Sequence, residues 1–216
     1  ELEDLLVELA SASGRDLSWF SSQWLEKAGV NTLSAHFSVD DEDRFSRFEI
    51  VQTAHEDWPT LRTHRLGIGI YDLRADGTLT RREYLEVDVN PAERTPIDAL
   101  VGKDKGDVVL LNDGDLTYAR VHLDRHSRAT LAAHFGGLTD PLARAVAWTS
   151  FWEATRDADL PSQEFVTLVL AGLPSEDDMA AVSTLLGQAA TAATAYTAPE
   201  LRPALNGTLV KGLAGL

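Results

Sequence analysis

Histidines paired with carboxylates come first, because a zinc peptidase needs two His one helical turn apart, a Glu between them as general base and a third ligand further on. His55-Glu56-Asp57-Trp58-Pro59 begins in that way, but its fifth position is Pro59, which offers no ligand and breaks a helix. His122 and His126 have the i, i+4 spacing, yet Leu123 rather than Glu follows His122, and the pair straddles an expected change from strand to helix. Two surface imidazoles at the end of an element are expected there. Asn112-Asp113-Gly114-Asp115 gathers oxygen ligands as a calcium loop does, without the closing Glu of the twelve-residue pattern. A turn held by Asx hydrogen bonds is expected instead. No Gly-x-Ser-x-Gly elbow, phosphate loop or dinucleotide fingerprint occurs. The residues therefore assign no catalytic, cofactor-binding or metal site to any position.

Charge narrows the partners. The 216 residues carry 34 acidic and 19 basic side chains, a net charge of −15. Such a surplus repels phosphate backbones and anionic lipid, so neither nucleic acid nor a membrane is expected as partner. No cysteine is present, which removes disulfides, thiolate metal sites and thiol nucleophiles and fits a cytoplasmic location. No window approaches the ~20 apolar residues of a membrane span. Asn206-Gly207-Thr208 matches a glycosylation triplet, which means little without secretion. The chain opens at Glu1 with neither an initiator Met nor a signal pattern, and reads as cut from something longer.

Three kinds of element must position these side chains. Leu2, Leu5, Leu6 and Leu9 form one helical stripe that Gly14 can end. A second helix is expected from an Asp16 N-cap to Gly29 at C′, with Leu17, Phe20 and Trp24 on one face and Trp19 beside it. From about Thr32 the period becomes two. Phe48 and Ile50, then His64 to Ile70, then Leu85 to Val89 alternate apolar with polar or glycine, and Ala75-Asp76-Gly77 supplies a hairpin turn. Val108 to Leu111 is a continuous apolar run, as in a strand covered on both faces, and Leu116 to Leu123 is read as a last strand. After Asp124 the pattern is helical. Asp140-Pro141 is an N-cap followed by Pro at N1, with Leu142, Ala145, Val146, Thr149 and Trp152 as the buried stripe. Ser175 with Asp178 reads as a capping box before Met179, Val182, Leu185 and Leu186. The fold class expected is α+β: a short helical segment, an antiparallel β-sandwich, then a helical bundle or solenoid.

Asp16-Leu17-Ser18-Trp19-Phe20 with Gln23-Trp24-Leu25 and Ala28-Gly29-Val30 resembles the end of the thermolysin-like catalytic domain in the aminopeptidase N family of HExxH zinc enzymes. Leu61 to Leu66, Gly69 to Asp72, Leu100-Val101-Gly102 and Leu110 to Val121 follow in the order of that family's β-sandwich. Asn112-Asp113-Gly114-Asp115-Leu116-Thr117-Tyr118-Ala119 is similar to its last sandwich strand in actinobacterial-type members, and Leu138 to Arg144 with Trp148 to its opening C-terminal helices. Ser21-Ser22 departs from it, where the family often has an aromatic and an acid.

The resemblance implies three parts: residues 1–32 as the helical tail of a catalytic domain, 33–125 as the sandwich, and 126–216 as the start of the helical domain. It implies that zinc, the general-base Glu, the strand receiving the substrate's amino terminus and the catalytic Tyr belong to an upstream part. Met179, the one Met here, has neighbours that do not form that strand's motif. The expectation is then a non-catalytic C-terminal fragment, inactive alone, of a zinc aminopeptidase that removes N-terminal residues from peptides. The sandwich would act as spacer and the helices as part of the substrate-chamber wall. Its partners would be the upstream domain, peptide substrates of the parent, and a second copy through exposed N-terminal helices. The alternative is a stand-alone sandwich binding module with an exposed aromatic platform around Trp58, Tyr71 or Tyr84.

Overall fold

The computed structural model describes residues 2–14 and 16–215, so Glu1, where the sequence suggests a cut, lies outside the described residues. Helix α1 (Leu2–Ser13) comes first and buries none of its residues. Helix α2 (Ser18–Phe20) continues directly into a π-helical turn, Ser21–Leu25. Asp16 accepts from the Ser18 N–H at 3.0 Å and from its hydroxyl at 2.9 Å, as a cap should, but the N-cap position itself is Leu17. Gly29, expected at C′, lies four residues beyond the end of the turn. Its φ of +95° serves a different need: a Cβ there would lie 2.6 Å from the Trp58 Cβ.

Seven strands follow: β1 (Asn31–Val39), β2 (Phe45–Ala54), β3 (His64–Leu73), β4 (Leu79–Val89), β5 (Arg94–Pro96), β6 (Val108–Leu111) and β7 (Arg120–His122). They form two sheets, ordered β5-β2-β1-β7 and β4-β3-β6. All pairings are antiparallel except β1 with β7, which is parallel and only three residues long. The β3–β4 hairpin turns at Gly77, whose φ is +85°, as expected.

The last strand is shorter than its sequence suggests. Leu116 and Tyr118 are exposed. The Asn112 side chain takes the place of a neighbouring strand, donating to the Thr117 carbonyl at 2.9 Å and accepting from the Thr117 N–H at 3.1 Å. That clasp holds the chain as a loop until Arg120.

Among the described residues five α-helices follow: α3 (Arg125–His134), α4 (Pro141–Arg156), α5 (Ser162–Gly172), α6 (Met179–Thr194) and α7 (Arg202–Leu213). Asp124, Asp140 and Asp178 each cap a helix by accepting two backbone N–H groups. Asp178 is therefore the N-cap of α6 rather than the third residue of a box opened by Ser175. The buried face of α4 also differs from the expected stripe. Leu142, Ala145 and Thr149 are exposed, while Ala143, Val146, Ala147, Trp148 and Phe151 are buried. The reason is a second aromatic layer: Trp148 lies 3.8 Å, ring centre to ring centre, from Phe135. Those larger rings gain more from leaving water than the smaller stripe would.

The strand β6 explains how the layers stack. Val109 and Leu111 enter the core between the two sheets with Leu33, Phe48, Ile50, Leu66 and Ile68. Val108 and Leu110 point the other way, into the core shared with Leu131, Phe135, Phe151 and Phe165 of the helical part. β6 is thus covered on both faces, which is why it reads as an unbroken apolar run.

Candidate functional site

Two buried polar clusters stand out, one joining the sandwich to the segment before it and one at the sheet that faces the helices. The first is built on Arg62, 2% exposed, just before β3. Its Nε donates to the Gln23 carbonyl at 2.7 Å, and its Nη2 to the carbonyls of Lys27 at 3.0 Å and Ala28 at 2.9 Å. Its Nη1 donates to Asn31 Oδ1 at 3.1 Å. No carboxylate appears among these partners. The carbonyl ends of the turn and of the chain leaving it supply the negative field, as a helix C-terminus does for any cation. The guanidinium also lies 5.4 Å from the Trp24 ring centre, within cation–π range.

Beside it, His64 stands edge-on to Trp24 at 5.1 Å, and its Nδ1 is 2.8 Å from Thr117 Oγ1. Its Nε2 is buried without a partner among the described residues. Burial, and then the neighbouring Arg62 charge, lower its pKa to about 4. The imidazole is therefore neutral near pH 7, and this junction carries one net positive charge.

The second junction is built on Asp113, which is fully buried. Its Oδ2 accepts from the Tyr71 hydroxyl at 2.9 Å and from Arg81 Nη1 at 3.1 Å, while Oδ1 has no partner among the described residues. Burial raises the carboxyl's pKa, against the opposing pull of Tyr71 and Arg81. Tyr71 is raised too, by burial first and then by the Asp113 charge, so its hydroxyl keeps its proton and donates it. Gly67 and Gly69 on β3 make the room: a Cβ on Gly69 would meet Asp113 Oδ2 at 2.0 Å, and one on Gly67 the Asp113 carbonyl at 2.1 Å. Arg81 reaches on to Asp140, the cap of α4, at 3.8 Å.

A third link joins the same partners. Arg120 on β7 pairs with Glu153 at 2.8 Å and with Asp157 at the end of α4, and His122 stands 3.4 Å from Asp157. The Arg120 hydrogen bond holds the Asp157 carboxyl below the usual range.

The residues weighed for chemistry are not brought together. His55, Glu56 and Asp57 lie in an exposed turn after β2. His122 faces Asp157, and His126 is an exposed first-turn residue of α3. Among the described residues no three His, Asp, Glu or Cys side chains gather as a metal site, so the residues present do not fit zinc. A groove of about 350 Å³ between α5 and α7 is lined by Pro161, Tyr196, Leu201, Leu205 and Thr208 without a carboxylate or imidazole. The expected aromatic platform also fails in part: Trp58 and Tyr84 are exposed, whereas Tyr71 is spent on Asp113. The sequence reading passed over Arg62 and saw Asp113 only as part of a turn. The signal it could have used is Gly67-x-Gly69 inside a strand, where glycine marks a close approach.

The chain is 43% identical over 210 residues to Aminopeptidase N of Streptomyces lividans, covering 94% of this chain and 24% of that protein. It thus spans about a quarter of that relative's length. A solved structure, Legionella pneumophila aminopeptidase A in complex with aspartic acid, aligns over 99% of this chain and 26% of its own at 15% identity, with a TM-score of 0.46. No helix among the described residues is long and apolar enough to cross a membrane. The profile of the ERAP1-like C-terminal domain matches residues 108–215, half of the sequence, from β6 through α7. The chain belongs to the ERAP1-like C-terminal domain family.

Proposed function

We propose that this chain is a non-catalytic C-terminal part of a zinc-dependent cytoplasmic aminopeptidase, whose upstream domain holds the metal and removes N-terminal residues from peptides. The observation that carries the reading is the 43% identity kept along 94% of the chain to a relative it only partly spans. In this reading residues 1–32 are the tail of the catalytic domain, 33–125 a spacer, and 126–216 part of the substrate-chamber wall.

Two features of the molecule support it. A spacer must hold a fixed angle, and the sandwich is tied to the N-terminal segment by Arg62 and to the helices by Arg120 and the core around Val108 and Leu110. Helix α1 also presents Leu2, Leu5 and Leu9 to solvent on one face, and such an apolar face suits docking on a larger body. The test is hydrolysis of leucyl p-nitroanilide by the chain alone, with and without added zinc, and by the chain expressed in line with an upstream HExxH domain. The reading expects no turnover alone and chelator-sensitive turnover in the longer protein. Zinc-dependent turnover by the chain alone would overturn it.

A further inference from the structure

Two separate stretches of chain meet on one buried side chain. From the segment at residues 18–29, the Trp24 ring stands edge-on to His64 at 5.1 Å. From the loop between β6 and β7, the Thr117 hydroxyl oxygen lies 2.8 Å from His64 Nδ1. His64 is 2% exposed, so water is kept from it while both neighbours are in place. The segment rests on the residues that lead into β3. Arg62 donates to its carbonyls, the Thr63 N–H donates to Gln23 Oε1 at 2.8 Å, and His64 takes Trp24.

The form of the loop needs support. Asn112, Gly114 and Asp115 have φ of +56°, +93° and +50°, and two of the three carry a side chain. Left-handed backbone at such residues persists where the surroundings over-determine it. Part of that support is internal: the Asn112 side chain bonds the Thr117 backbone and the Asp115 carboxylate. Among the described residues, the Thr117 hydroxyl makes the one hydrogen bond that ties residues 115–119 to anything beyond Asn112. On its other side the loop faces α4, where Asn112, Asp115 and Ala119 share a small cavity of about 80 Å³ with Val146 and Ser150.

We propose that His64 couples these two stretches. With the segment seated, Trp24 holds the imidazole where it anchors Thr117, and the loop keeps its clasped form beside α4. With the segment lifted, water reaches Nδ1 and competes for the Thr117 hydroxyl, so the left-handed residues lose their outside support and the loop loosens. Each state differs from the other in named contacts at both ends, as coupling between distant sites requires. The coupling is reciprocal: breaking the Thr117 bond loosens the segment by the factor by which lifting the segment loosens the loop. In the function proposed above, on which this consequence alone rests, a movement of the upstream domain would reach α4 by this route.

Amide hydrogen exchange in the whole chain, followed residue by residue by NMR, is the test. The Asp115 amide donates to the Asn112 carbonyl, the Glu26 amide to the Ser21 carbonyl and the Gly77 amide to the Arg74 carbonyl, so they report on the loop, the segment and a remote turn. Trp24→Ala and Arg62→Met each loosen the segment and should speed exchange at Asp115 by about five-fold or more, with Gly77 unchanged. Thr117→Val keeps the shape of the side chain without its hydroxyl and should speed exchange at Glu26 by a similar factor. When Trp24→Ala is added to Thr117→Val, Asp115 should exchange no faster than in Thr117→Val alone. An Asp115 rate unmoved by both segment variants would overturn the proposal, as would a Trp24→Ala effect on Asp115 that is equally large with and without Thr117→Val. If neither segment variant folds, Thr117→Val decides alone, and an unchanged Glu26 rate in it overturns the coupling.

Discussion

Where the N-terminal segment meets the sandwich, a buried cation is met by carbonyl oxygens; where the helices meet it, a buried anion is met by a guanidinium and a phenol. Arg62 satisfies its donors with Gln23, Lys27, Ala28 and Asn31, all from one short stretch of chain. Asp113 draws Tyr71 from β3 and Arg81 from β4, while itself following β6, so all three strands of one sheet converge on it. The difference sets what each can lose. Without Arg62, the segment Ser18–Gly29 can lift away and its carbonyls find water. Without Asp113, the Tyr71 hydroxyl stays inside unpaired, because β3 is buried along most of its length, whereas Arg81, 38% exposed on β4, still reaches water and Asp140.

The largest effect is therefore expected at Asp113. Asp113→Ala should lower unfolding free energy in urea by up to about 3 kcal/mol, the cost of leaving the buried Tyr71 hydroxyl without an acceptor. Asp113→Asn, which keeps an acceptor for Tyr71, should lose less. A variant with alanine there as stable as the parent would break the comparison.

Acid separates the junctions by sign. His64 is depressed from 6.5 to about 4 in the folded chain, so its contribution is present above pH 6.5 and lost as pH falls toward 4. The full loss is about 3 kcal/mol. Asp113 runs the other way: its pKa is raised by burial, so protonation at low pH relieves the folded state rather than straining it. Urea titrations of the parent and of His64→Gln should converge as pH drops from 6.5 to 4. Parallel curves would show that His64 does not titrate as its surroundings dictate.

Arg62→Met should act locally. Trypsin should cut after Lys27 several-fold faster while the urea midpoint of the sandwich moves little, since opening there needs no global unfolding. A large global loss would show that this segment is as integral as the helices. The smallest effect is expected in α1. Leu5→Ser and Val7→Ser should change stability by no more than about 0.5 kcal/mol, because both side chains already face water.

Much of this was readable from the sequence for reasons of short range. The Asp140-Pro141 start of α4, the Gly77 turn and the doubly covered β6 each rest on neighbours a few residues apart. The buried face of α4 was not readable, because Leu142 and Trp148 compete for the core and the winner depends on where Phe135 comes to lie. Asp113 was legible as a turn residue and illegible as a buried carboxylate, since its partners lie 32 and 42 residues away along the chain. Arg62 gives no local sign at all. Its role exists only once Gln23 and Lys27 have been folded over it.

The central claim is that the sandwich and the helices from α3 form one unit, to which Arg62 clasps the Ser18–Gly29 segment, while α1 is loosely attached. Native-state amide exchange followed by mass spectrometry tests it directly. The account predicts that β3, β6 and α4 open with closely similar free energies, that the π-helical turn at Ser21–Leu25 opens below them, and that α1 exchanges far faster than either. It would be contradicted if the turn exchanged as fast as α1, or if α4 opened well before β3 and β6.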